Sequence, residues 1–150
     1  MESMFDAACV AEMKRRLGSL QSDSVRKWGS MTAAQMVKHC CIGVEMATGD
    51  TKLPRVFVGR ILGPLVKNMA LKEGEPMRRN SPTAPALVVK DDPNFETERE
   101  RLCALIDRFA GGGPVACTTH PHAFFGKLTP EQWSMLVYKH LDHHLRQFGA

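Results

Sequence analysis

Of the six histidines in this chain of 150 residues, three stand in the run His140-Leu141-Asp142-His143-His144. On a helix, His140 and His144 lie one turn apart on the same face, so both imidazoles can reach a single cation, as in other helical zinc sites. Two ligands seldom complete a site, and His39 offers a third. Neutral imidazoles leave a divalent ion its full charge and leave coordination positions open, conditions under which water or a thiol becomes a nucleophile near neutral pH. Zinc or nickel suits this donor set best, with iron or manganese as further options. The competing explanation is a set of core histidines that hydrogen-bond or meet at a dimer interface. Burying three such rings without partners is costly.

Helical phase selects the same residues. At ~100° per residue with His140 at zero, Trp133 falls near ~20°, Leu136 near ~−40°, Val137 near ~60°, Phe148 near ~80° and Leu141 near ~100°. His144, at ~40°, lies close to the middle of that apolar stripe and His143, at ~−60°, on its edge. Asp142 and Lys139 point away from it. His39 runs beside the stripe of Met36, Cys40 and Gly43, with Lys38 and Glu45 turned elsewhere.

Other groups have two readings each. His143 is the candidate second base beside the pair, or else a surface ring. His120-Pro121-His122 precedes the last helix and can reach a site, although turn chemistry explains it equally well. Cys40 follows a proposed ligand, but its apolar setting favours a buried structural thiol.

Four segments carry helical signals. The first runs from about Met4 to Leu20. The second opens on the capping box Thr32-Ala33-Ala34-Gln35 and stops at Gly49-Asp50. The third begins near Asp92-Pro93, with Pro in its first turn, and ends at Gly111-Gly112-Gly113. The fourth opens on Thr129-Pro130-Glu131-Gln132 and runs to about Phe148. Between the second and third lies a long connection in which Pro54, Pro64, Pro76, Pro82 and Pro85 rule out one regular element. Short helical pieces at 56–62 and 65–71 and an extended stretch after Pro85 fit within it. The expectation is one all-α domain over residues 1–150, a four-helix bundle with a long crossover between helices 2 and 3.

Composition narrows the function classes. With 43% hydrophobic and 24% charged residues the chain is not a disordered one. The net charge of +4 is concentrated in residues 52–80, where seven Lys and Arg face only Glu73 and Glu75. That stretch is a solvated face or a receiver of an anionic cosubstrate. Aromatics do not alternate with the basic residues, so no nucleic-acid surface is expected. No apolar run approaches a membrane span of roughly 20 residues, and the first residues mix acids and bases where an export signal would be apolar. The five cysteines form no CxxC pair, which fits reduced thiols and a cytoplasmic setting.

The stretches Met31-Thr32-Ala33-Ala34-Gln35-Met36-Val37-Lys38-His39 and His140-Leu141-Asp142-His143-His144-Leu145-Arg146-Gln147 resemble the DinB/YfiT-like superfamily of metal-binding four-helix bundles. The segment His120 to Thr129 is similar to an uncharacterised branch of it. The resemblance implies up-down-down-up helices and His39, His140 and His144 as metal ligands, with His143 the uncoordinated neighbour of the last ligand. Some members of that superfamily are thiol-dependent transferases or isomerases. The implied function is a metal-dependent enzyme, thiol transferase-like or hydrolase-like, acting on a small molecule with a low-molecular-weight thiol as candidate cosubstrate and a homodimer as candidate assembly. The alternatives are a non-catalytic metal-binding or sensor module and a structural bundle without metal.

Overall fold

Thr32 and Thr129 start helices by the same device. The Thr32 hydroxyl accepts from the Gln35 amide at 3.2 Å while the Gln35 side-chain oxygen accepts from the Thr32 amide at 3.0 Å. Thr129 and Gln132 repeat the exchange at 3.2 and 3.0 Å. Each box satisfies two amides that a helix start leaves without partners. In the computed structural model, which describes residues 2–150, these boxes open α2 (Ala33–Thr48) and α5 (Pro130–Gln147). Gly49 ends α2 in the left-handed region at φ 83°, and a Cβ there would lie 2.8 Å from the Thr118 hydroxyl. Asp6 caps α1 (Ala7–Gly18) and Asn94 caps α4 (Phe95–Gly112), whose first turn carries Glu96 and Glu98. Pro93 therefore precedes the cap of α4, two residues before the first turn in which it was expected.

A fifth helix corrects the expected four. Residues Phe57–Ala70 form one continuous α3 that passes through Pro64, where two short pieces were expected. Pro64 removes one hydrogen bond and crowds the carbonyl four residues back, at about 3 kcal/mol. The helix persists because its backbone is held from outside. The Val56 amide bonds the Ala123 carbonyl at 2.8 Å, and α3 lies on the Phe124 backbone through Gly59 and Gly63. A Cβ on Gly63 would sit 2.1 Å from the Phe124 oxygen, so only glycine permits this approach. The opposite face of α3 exposes Phe57, Ile61, Leu65 and Met69.

The fold is all-α. Among the described residues there is no strand, only an isolated antiparallel bridge between His122 and Gly126. Among the described residues no helix is long and apolar enough to cross a membrane. Single 3-10 turns occur at Pro85–Leu87 and Pro114–Ala116, the first taking part of the stretch expected to be extended. Helix α2 packs against α4 and α5, and α1 packs against the same two. Their shared core holds Met13, Met36, Leu102, Ile106, Phe109 and Trp133 at full burial. Lys139 points away from the histidines, as its phase requires, yet it is not solvated. It is buried, and its ammonium donates to the Lys72 carbonyl at 2.6 Å.

Candidate metal centre

The packing of α2 on α5 brings His39, His140 and His144 together. One nitrogen from each lies within 4.8 Å of the other two, and ring centroids are 4.7–4.8 Å apart. His39 is in mid-α2, and the other two lie past the middle of α5. Gly43, one turn beyond His39, makes the approach possible: a Cβ there would lie 2.8 Å from Nδ1 of His140. His39 and His144 are buried, and His140 is half-buried as a residue although desolvation acts strongly on its ring.

The tautomers of two rings are fixed. The Leu87 carbonyl, delivered by the 3-10 turn of the crossover, lies 2.9 Å from Nδ1 of His39. A carbonyl only accepts, so Nδ1 carries the proton and Nε2 presents a lone pair. Gln147 does the same for His144. Its amide nitrogen donates to the Trp28 carbonyl at 2.8 Å, which leaves its oxygen to accept from Nδ1 of His144, also at 2.8 Å. That amide passes close to Gly29, where φ is 79° and a Cβ would stand 2.5 Å from the Gln147 nitrogen. His39 and His140 meet Nε2 to Nε2 at 2.8 Å, so a single proton is shared between them.

Burial keeps all three rings uncharged. Desolvation lowers the pKa of His39, with the Leu87 bond opposing it. His140 is pushed well below the usual imidazole value by desolvation and then by the neighbouring rings. His144 is lowered to about 3 by desolvation and His39, against the Gln147 bond. Neutral rings are the form that binds a cation: His39 and His144 turn Nε2 lone pairs inward, and His140 does so once its proton passes from Nε2 to Nδ1. Three nitrogen donors, two of them with outer partners on Nδ1, therefore fit a divalent first-row ion.

The other candidate groups lie outside this cluster. His143 packs edge-on to Trp28 at 5.6 Å and to His144 at 5.0 Å, and it hydrogen-bonds the Met77 backbone. Cys40 is fully buried, its thiol 3.7 Å from the Met36 sulfur and its pKa pushed well up by desolvation. Glu45 is engaged with Arg101, and Asp142 with Arg16 at 2.7 Å. His120 bonds the Leu53 carbonyl at 3.1 Å and so straps the crossover to the loop before α5. His122 lies nearer the centre, packed on Phe125 at 4.8 Å and Trp133 at 5.6 Å.

A family model described as a protein of unknown function (DUF1569) matches residues 5–150. The chain belongs to the DUF1569 family. No curated protein and no solved structure matches it. The matched range contains all three clustered histidines and the partners that orient them. Of those partners, Gln147 was visible in the sequence as the end of the His-x-x-His-His-x-x-Gln run, without an assigned task. Leu87, Trp28 and Gly29 carried no signal, because they act through backbone groups on irregular segments.

Proposed function

We propose that this DUF1569 chain holds a divalent metal ion on His39, His140 and His144 and uses it in a small-molecule reaction. The carrying observation is the convergence of three uncharged imidazoles, two of them with Nδ1 protons taken up by Leu87 and Gln147. When bound, such an ion supplies Lewis-acid activation of water or a thiol. The protein's own part is to hold the rings neutral and to present lone pairs, with the substrate entering beside the half-buried His140. Zinc or nickel matches these donors best.

The reading extends to a thiol transferase-like or hydrolase-like enzyme of the DinB/YfiT-like type, with α1, α2, α4 and α5 as an up-down-down-up bundle and α3 within the crossover. A low-molecular-weight thiol as cosubstrate, a homodimer and a cytoplasmic setting belong to the same proposal. Elemental analysis of protein purified without a histidine tag tests its base: one equivalent of metal is expected, and His140→Ala should lose it. Wild-type protein that takes up no divalent ion, or a variant with unchanged metal content, would overturn the proposal. Metal-dependent loss of thiol in the presence of an electrophile then separates an enzyme from a sensor.

One observation favours a second reading. The His39–His140 contact at 2.8 Å is a satisfied hydrogen bond in its own right, as a purely structural cluster requires. On that reading, chelator treatment leaves the melting temperature unchanged.

A further inference from the structure

Beside the histidine cluster, three hydrogen-bond donors adjoin one another without acceptors. His122 is the link between them. Its Nδ1 accepts from the amides of Phe124 and Phe125, both at 3.1 Å, so in the neutral ring the proton sits on Nε2. No acceptor among the described residues takes that proton. Trp133, whose ring centroid lies 5.6 Å from that of His122, has a buried indole N–H with no partner. Arg55, whose charge acts on His122, has a buried Nε–H with no partner. These two are the only buried side-chain polar atoms left without partners among the described residues.

Arg55 is also a charge without a counter-charge. Among the described residues no carboxylate pairs with it, and its Nη2 donates to the Gly59 carbonyl at 3.3 Å. The guanidinium lies over Gly126, where φ is 79° and a Cβ would fall 3.1 Å from Nη1. The buried Nε–H of Arg55 and the buried indole N–H of Trp133 are each costly to leave unpaired. Both costs vanish if an anionic oxygen group occupies the place. Trp133 stands seven residues before His140 on α5, about two turns along the same face, which sets these donors along the helix from the cluster.

We propose that Arg55, His122 and Trp133 form a carboxylate-binding subsite that orients the substrate of the metal centre proposed above, a reading on which the word substrate rests. Arg55 supplies one positive charge and the other two donors are neutral, which matches a monoanionic carboxylate better than a phosphate near its second ionisation. It gives the basic crossover a defined role: of the seven basic residues at 52–80, Arg55 is the one set against the site.

The chain has two tryptophans, so its amide spectrum contains two indole N–H signals, and Trp28 serves as the internal control. The probe is sodium acetate at constant ionic strength, titrated into full-length protein both as purified and after chelator treatment. The Trp133 signal, assigned with Trp28→Phe, should move saturably in both samples while the Trp28 signal stays in place. Arg55→Gln and Arg55→Lys should each raise the acetate dissociation constant at least ~tenfold. Equal, non-saturating drift of both indoles, or unchanged affinity in a folded Arg55→Lys variant, would overturn the subsite. Saturation by inorganic phosphate but not acetate would overturn its assignment to carboxylates. Metal without acetate binding defeats this inference alone, and acetate binding without metal defeats the metal proposal alone.

Discussion

Two groups of histidines in this molecule are wired in opposite senses. In the α2–α5 cluster, acceptors fix the rings: the Leu87 carbonyl and the Gln147 oxygen take the Nδ1 protons of His39 and His144, so Nε2 lone pairs face one another. In the loop before α5, donors fix the ring: the Phe124 and Phe125 amides fill Nδ1 of His122 and leave it an N–H to offer. The first region accumulates lone pairs and calls for a cation. The second accumulates N–H groups around Arg55 and calls for an anion. Burial is the same in kind for both, so burial alone does not distinguish a ligand from a donor; the partner on the far nitrogen does.

What the regions share gives the largest expected effect. His144 and His122 have folded pKa values lowered to about 3 and about 4, in both cases first by desolvation. The unfolded chain therefore binds protons near pH 6.5 that the folded chain refuses, and stability present above that pH falls as pH drops towards the folded values. At pH 5 each ring should cost about 2 kcal/mol relative to pH 7, and the two together about 4 kcal/mol. Chemical denaturation of chelator-treated protein at the two pH values measures this; His39, His140 and His143, also lowered, add to the difference, and His122→Phe should remove about 2 kcal/mol of it. Equal stability at both pH values would mean that the rings are solvated and the contrast in wiring has no energetic basis.

The next effect separates the regions. Gly43→Ala places a methyl group against His140, where a Cβ would meet Nδ1 at 2.8 Å and Cε1 at 3.0 Å. Overpacking of this kind costs about 1–3 kcal/mol. Metal retention should fall with it, whereas acetate binding at Arg55 should persist. Gly18→Ala is the control: a Cβ there meets nothing within 4 Å, and the variant should be neutral or mildly stabilised. Loss of both binding functions in Gly43→Ala would show one site where two are described.

The sequence made these regions unequally legible. His39, His140 and His144 sit on α2 and α5, where a period of 3.6 residues converts position into direction, and the two capping boxes located both helices to within a residue. Gly43 was visible as a small residue in the α2 stripe, but its task depends on how closely α5 approaches. Leu87, Trp28, Phe124 and Phe125 contribute backbone groups, which any residue type could supply. Arg55 was one of seven basic residues in a segment with no period to orient it. Continuity of α3 through Pro64 came from its contact with a distant backbone, which local rules for proline do not contain.

The finest test addresses orientation itself. Gln147 is buried, and its two amide atoms are used in opposite directions, oxygen towards His144 and nitrogen towards the Trp28 carbonyl. Gln147→Leu keeps much of the volume and removes both bonds, which frees the His144 ring to rotate or to exchange tautomers. Losing an outer partner of this type costs about 10–100-fold in metal affinity. Gln147→Glu keeps an acceptor for the Nδ1 proton and should retain more affinity than the leucine variant, although it forfeits the bond to Trp28. Competition titrations against a chelator give the ranking, with circular dichroism confirming equal helix content. If the leucine variant binds metal as tightly as the wild type, the far nitrogen of His144 does not set its function. The opposition between the two histidine regions would then rest on His39 and His122 alone.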